Sequence, residues 1–141
     1  MNQPNRYQPQ APSDWRERGR QNLEAARLLH ARGDLRAAQV SRTYYALYQH
    51  VVARLIELGV EPGHLRKDLF EWEHTTVLHN VGRCFPRVDG IRARFNLRRL
   101  YRNAFNCRKI ADYGPGVVQE RDADDDLREL EQVLPSLGGR L

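Results

Sequence analysis

The fold is decided by residues 34–59, which read DLRAAQVSRTYYALYQHVVARLIELG. Asp34 and Gly59 bracket this segment and predict a helix that is capped by Asp34 and ends at Leu58. At 3.6 residues per turn, its apolar side chains share one broad face. That face comprises Leu35, Ala38, Tyr45, Tyr48, Val52, Leu55 and Ile56, and it is widened by Tyr44, Leu47 and Val51. A face of this width indicates a helix at the centre of the domain.

Four further helices are predicted around this segment, over residues 14–32, 65–83, 91–112 and 122–134. Ser13 and Asp14 supply a start signal for the first helix, and Gly33 supplies its stop. No stretch alternates with the period of a strand over a useful length. We therefore expect an all-α fold, an antiparallel bundle of four long helices plus a shorter C-terminal helix.

The chain ends are predicted to lie outside this bundle. Residues 1–12 contain three prolines and little to bury, so we expect a disordered arm there. The helical domain is predicted over residues 13–135, with a flexible tail at 136–141. A chain of 141 residues with 40% hydrophobic content is consistent with one domain of this size.

Composition favours a soluble cytoplasmic protein without a cofactor. No apolar run approaches the roughly 20 residues of a membrane span, and the N-terminus lacks a signal-peptide pattern. The two cysteines, Cys84 and Cys107, have no metal-site or redox spacing, which is typical of small apolar side chains in a reducing compartment. Phosphate-loop, dinucleotide and Ser/His/Asp patterns are absent. We expect no metal site, because His74 and His79 point to different helix faces.

Positive charge is concentrated in one region. Residues 83–109, here called the basic block, carry nine basic side chains and one acidic side chain. Charge of this density could bind nucleic-acid phosphates, with binding that weakens steeply as salt rises. Alternatively, the block pairs with the acidic residues of segment 110–141. The candidate nucleic-acid-binding residues are Arg92, Arg94, Arg98, Arg99, Arg102 and Lys109.

Arg108 differs from these exposed arginines because periodicity places it on the buried face of helix 91–112. That face also carries Leu97, Leu100, Tyr101, Ala104, Cys107 and Ala111. A guanidinium among apolar neighbours needs a partner or a ligand, because desolvating an unpaired charge is costly. Asp112 lies one turn further on and could pair with it, in a structural network that includes Tyr44, Tyr45 or His74. The alternative is contact with RNA or another ligand.

Three strings together resemble the HEPN family of small helical proteins: SRTYYALYQH at residues 41–50, HTTVL at 74–78 and RKIADY at 108–113. The resemblance spans about residues 14–134. It implies an all-α dimer. Many members of the family are metal-independent ribonucleases of toxin–antitoxin, antiphage and CRISPR-linked systems, in which an Arg and a His four to six residues apart act in the dimer cleft.

Arg108 matches the arginine of that ribonuclease motif, whereas the histidine has no counterpart. Asp112, Tyr113 and Gly114 occupy the positions four to six residues on. The chain resembles the branch of the family with Arg-x-x-Ala-Asp-Tyr, for which the resemblance does not imply ribonuclease activity. His74 matches the histidine that this branch carries in its third helix, and it is a candidate for proton transfer.

Two hypotheses follow from these residues. The first is a non-catalytic HEPN module of a defence or toxin–antitoxin system. It would act as a homodimer, or as a hetero-oligomer with a partner of that system, and could contact RNA through the basic block. The second is a metal-independent ribonuclease in which Arg108 is catalytic and His74, Asp112 or Tyr113 replaces the missing histidine.

Overall fold

The computed structural model describes residues 11–66, 72–85, 91–114 and 116–138. Over these residues the chain forms helices and turns without a strand, which confirms the all-α prediction. The α-helices are α1 (Pro12–Arg32), α2 (Arg36–Glu57), α3 (Pro62–Leu65), α4 (His74–Asn80), α5 (Ile91–Tyr113) and α6 (Glu120–Val133). Two 3₁₀ turns, Val81–Cys84 and Leu134–Leu137, follow α4 and α6.

Helices α1 and α2 form an antiparallel hairpin. Gly33 ends α1 with φ +83°, a left-handed conformation that glycine adopts without steric cost. Asn22 on α1 donates a hydrogen bond to the Gln49 side chain on α2 at 2.8 Å. The two helices also approach closely at Gly19, where an added Cβ would lie 2.5 Å from the His50 ring. The absence of a side chain at Gly19 therefore sets the distance between the two helices.

Helix α2 lies at the centre of the molecule, as its wide apolar face predicts. It packs against α1, α5 and α6, and its middle is almost wholly buried. Helix α5 contributes one apolar stripe to this core, and α6 contributes another. The core residues of these two helices and of the turn after α6 are Leu97, Leu100, Tyr101, Ala104, Leu127, Leu130, Leu134 and Leu137.

The start signals predicted for the first two helices were wrong in detail. Helix α1 begins at Pro12 with Ala11 in the capping position, while Asp14 lies in the first turn. Proline fits this position because its fixed φ suits a helix and its missing N–H would have no partner there. Helix α2 is preceded by Leu35, and the Asp34 carboxylate instead accepts a hydrogen bond from Arg32 Nε at 2.7 Å.

The prediction of one continuous helix over residues 65–83 was also wrong. Arg66, Trp72 and Glu73 are not helical, and α4 has only seven residues. A run of β-branched residues at 75–77 has low helix propensity, and so short a helix depends on packing for its stability. Val77 and Val81 supply that packing, because both are fully buried. Residues 67–71, which belong to this prediction, and residues 86–90 lie outside the described residues.

The folded domain extends slightly further than predicted at both ends. Helix α1 starts at Pro12, and the turn Leu134–Leu137 buries Leu137 completely, although residues 136–141 were expected to be a tail. The reason is that residues three apart in a 3₁₀ turn lie on the same side, so Leu137 joins Leu134 in the core. Residues 1–10 and 139–141 lie outside the described residues. No helix in the described part is long and apolar enough to cross a membrane.

Candidate functional site around Arg108

Three helices bring the candidate site together. Helix α2 supplies Tyr44 and Tyr45, α4 begins with His74, and α5 supplies Arg108 near its C-terminal end. Tyr44 is fully buried and contacts residues of all three helices, so it is the centre of the cluster.

The Arg108 guanidinium is held within its own chain. Its side chain is only 12% exposed, and Nε donates a hydrogen bond to Asp112 Oδ2 at 3.1 Å. Nη2 donates a longer hydrogen bond to the Tyr113 hydroxyl at 3.4 Å. The guanidinium carbon also lies 5.3 Å from the centre of the Tyr44 ring and 5.6 Å from that of Tyr45. At these distances a cation is attracted to the face of an aromatic ring.

His74 is joined to Arg108 through Tyr44. The Tyr44 hydroxyl lies 2.5 Å from His74 Nδ1 and 3.3 Å from the Tyr101 hydroxyl. The His74 ring also stacks on Tyr48, with 4.2 Å between the ring centres. The imidazole is therefore fixed by a hydrogen bond on one atom and by a ring on one face.

Burial determines the protonation of this network. Burial raises the pKa of Tyr44 to about 12, so its hydroxyl keeps its proton at neutral pH. Burial, followed by the nearby positive charge of Arg108, lowers the pKa of His74. In the tautomer that carries its proton on Nε2, neutral His74 accepts a hydrogen bond at Nδ1 from the Tyr44 hydroxyl, and the Tyr101 hydroxyl can then donate to Tyr44.

The residues predicted for the site are thus found together. Asp112, Tyr113, Tyr44 and Tyr45 all contact Arg108, and His74 is linked to it through Tyr44. The sequence reasoning did not assign Tyr48, Tyr101 and Phe105 to the site. Periodicity had already placed Tyr101 on the same face of α5 as Arg108, and Phe105 lies one turn before Arg108, so helix spacing is the signal that could have included both in the site.

The site has one open side. A surface groove next to the ion pair is lined by small residues of α2 together with Tyr45 and Asp112; its lining residues are Ala37, Ala38, Ser41, Arg42, Tyr45 and Asp112. Tyr113 is 78% exposed at the end of α5. Arg108 itself is therefore covered, while the residues that cover it face the surface.

Few of the candidate nucleic-acid-binding residues form ion pairs in the described part of the basic block. Arg92, Arg98, Arg102 and Lys109 are exposed and Arg94 is half-buried. Of the six candidate nucleic-acid-binding residues, Arg99 is the one with an ion pair to a carboxylate in the described part of the chain, to Glu129 at 3.8 Å. The described part of the acidic C-terminal segment therefore neutralises the charge of Arg99 but not the charges of the other five candidate residues.

A buried carboxyl lies between α5 and α6. Asp126 is 5% exposed, and its Oδ2 has no hydrogen-bond partner in the described structure. Burial raises its pKa from 3.8 to about 7, and a hydrogen bond with the Cys107 thiol partly opposes the rise. Across the described residues, no cluster of three or more His, Cys, Asp or Glu side chains could hold a metal ion.

Comparison with known proteins identifies the family. The HEPN domain matches residues 12–138, which is nearly the whole folded chain. A UPF0332 protein of Thermotoga maritima is 33% identical over 124 residues, covering 87% of this chain and 85% of the relative. No solved structure matches the chain. The resemblance seen in the three sequence strings is confirmed by these matches, and the chain belongs to the HEPN domain family.

Proposed function

We propose that this chain is a non-catalytic HEPN module of a prokaryotic defence or toxin–antitoxin system. It acts by dimerisation or by docking onto a partner of that system, and it contacts RNA through the basic block. The observation that carries this proposal is the arrangement of Arg108, whose guanidinium donates to Asp112 and Tyr113 and lies against two tyrosine rings.

A catalytic arginine must direct its donors at the charge that develops on the substrate. In this chain the Nε and Nη2 donors of Arg108 are directed at Asp112 and Tyr113. A phosphate that used Nε would first have to displace the Asp112 carboxylate from it. The arrangement of Arg108 therefore favours a structural role.

His74 uses one of its two ring nitrogens within the cluster. Its Nδ1 is occupied by the Tyr44 hydroxyl, and its ring lies against Tyr48. A general base must reach a substrate proton directly or through one water. These contacts support a role for His74 in holding α4 against α2.

The end of α5 offers a surface for docking. Ile110, Tyr113 and Val117 are exposed apolar side chains close to the Arg108 site. They adjoin a groove between the start of α2 and the segment after α5, which is lined by Gly33, Asp34, Arg36, Ala37, Ala111, Gly116, Val117 and Val118. Exposed apolar side chains beside a groove are typical of interaction surfaces. Such a surface would accept a second copy of the chain or a partner protein.

The alternative is a metal-independent ribonuclease that uses Arg108 with His74, Asp112 or Tyr113. The observation in its favour is that all four side chains belong to one connected cluster.

The test that separates the two functions is RNA cleavage. The purified chain, Arg108→Ala and the control Arg102→Ala would each be incubated with total RNA in the presence of a metal chelator. We expect no cleavage by any of them while circular dichroism confirms folded protein. Cleavage by the wild type and Arg102→Ala that Arg108→Ala lacks would establish the ribonuclease function instead.

The docking surface is tested by oligomeric state. Light scattering would compare the wild type with Val117→Glu and with Leu28→Glu, a matched change of an exposed apolar residue on α1. We expect Val117→Glu to dissociate the homodimer and Leu28→Glu to leave it intact. A wild-type monomer at all concentrations would exclude the homodimer and leave a heterologous partner to be sought by co-purification.

A further inference from the structure

Two arginines of the basic block converge on a single glycine. Arg94 and Arg98 lie one turn apart on α5 and both reach the 3₁₀ turn Val81–Cys84. A Cβ added to Gly82 would lie 3.1 Å from Arg94 Nη2 and 3.3 Å from Arg98 Nη2. The bare backbone of Gly82 therefore allows both guanidinium groups to approach the same point.

These two charges have no counterion in the part of the chain that the structure describes. Neither Arg94 nor Arg98 forms an ion pair or a side-chain hydrogen bond there, whereas Arg99 on the same helix reaches Glu129. Two like charges held close together repel each other, and an anion between them offsets this repulsion. The convergence of Arg94 and Arg98 is therefore unexplained by contacts within the described chain.

A third guanidinium approaches the same turn from α2. Arg54 Nε is buried and has no hydrogen-bond partner in the described structure. Helix α2, which carries Arg54, packs against this turn. The positive charge of Arg54 acts against the rise to about 12 that burial causes in the pKa of Cys84. A buried donor normally has an acceptor. The turn is thus approached by positive charge from both α2 and α5.

We propose that Arg94 and Arg98, supported by Arg54, bind a phosphate group of an RNA backbone at the Val81–Cys84 turn. Guanidinium groups suit this ligand because each presents several N–H donors in a planar fork, and a phosphate has enough oxygens to accept from two forks. Exposed Arg102, a further turn along α5, continues the positive surface for the adjoining backbone. The inference rests on the RNA contact in the proposed function and does not depend on whether Arg108 is catalytic.

Fluorescence anisotropy with a short labelled single-stranded oligoribonucleotide tests the site. Arg94→Gln with Arg98→Gln is compared with a control that removes the same charge from the same helix, Arg92→Gln with Lys109→Gln. We expect Arg94→Gln with Arg98→Gln to weaken RNA binding by about tenfold or more. The dependence of the logarithm of the association constant on the logarithm of the salt concentration should become less steep by about 0.7, the value for one phosphate contact on a single strand. The control pair is expected to weaken binding much less. Equal weakening by both pairs would overturn the site and indicate diffuse charge attraction.

A second variant separates geometry from charge and from misfolding. Arg94→Lys with Arg98→Lys keeps both charges but loses the planar forks, so we expect weaker binding with unchanged thermal unfolding. Full binding by this variant would contradict the proposed guanidinium contacts. Arg108→Ala should bind RNA as the wild type does, and this separates the phosphate site from the cleavage test of the proposed function.

The source of the phosphate is resolved by titrating inorganic phosphate and following the thermal unfolding midpoint. The proposal is supported if inorganic phosphate stabilises the wild type but not Arg94→Gln with Arg98→Gln, and if the wild type also binds RNA. The same stabilisation without RNA binding would overturn RNA as the ligand and assign the site to a small phosphate compound. If inorganic phosphate did not stabilise the wild type and the wild type did not bind RNA, the phosphate site itself would be overturned.

Discussion

Replacing Arg108 by alanine should destabilise the protein substantially, because the guanidinium connects α5 to α2. The cation–π contacts with Tyr44 and Tyr45, at 5.3 and 5.6 Å, each contribute about 0.5 to 1 kcal/mol. The partly exposed ion pair with Asp112 adds about 0.5 kcal/mol. Loss of packing along the aliphatic stem of Arg108 adds to the cation–π and ion-pair losses in the free energy of unfolding. We therefore expect Arg108→Ala to lower the free energy of unfolding by about 2 kcal/mol.

Urea denaturation followed by far-UV circular dichroism measures this loss. Arg102→Ala is the matched control, because Arg102 is exposed on the same helix and its loss should change the free energy of unfolding by less than about 0.5 kcal/mol. If Arg108→Ala were as stable as the wild type, the structural role would be wrong. An increase in stability would point instead to a strained site that is kept for ligand contact.

Three further outcomes are expected. In Arg108→Gln, the pKa of His74, measured by NMR, should rise, because the nearby positive charge helps to lower it; an unchanged pKa would show that the two groups are not coupled. Asp126→Asn should stabilise the protein at about pH 8 by at most about 4 kcal/mol. The pKa of Asp126 is higher in the folded state than in the unfolded state, so the wild type loses stability as the pH rises from about 4 to 7. That gain should vanish below about pH 4, and an equal gain at both pH values would contradict this explanation. Gly19→Ala should lower the thermal unfolding midpoint, because its Cβ would lie 2.5 Å from the His50 ring; an unchanged midpoint would mean that α1 and α2 can separate at little cost.

Much of the Arg108 site could be predicted from the sequence because its contacts follow helix periodicity. Arg108 and Asp112 lie one turn apart, so their pairing depends on α5 alone. The contacts with Tyr44 and Tyr45 required one further step, that the broad face of α2 packs against α5. Family resemblance supplied the relation to His74, which no local pattern on α4 would have provided.

Features that depend on the meeting of distant segments could not be predicted. The convergence of Arg94 and Arg98 on Gly82 needs the exact path of the chain between α4 and α5. The approach of Arg54 to the same turn joins residues far apart in sequence. Periodicity also overestimated helix length at residues 65–83, because apolar spacing continues through Trp72 although the backbone there is not helical.

The contacts of Arg16 have a consequence for how the protein can be fused or tethered. Its guanidinium donates to the Glu57 carboxylate at 2.5 Å and to the carbonyl oxygens of Leu137 and Gly138. The first turns of α1, the end of α2 and the last described turn therefore meet at one pole of the molecule. That pole lies about 20 Å along α2 from Tyr44, given the rise of 1.5 Å per residue. A label or tethered protein joined near either residue 12 or residue 138 would emerge there, leaving the Arg108 face accessible to a partner.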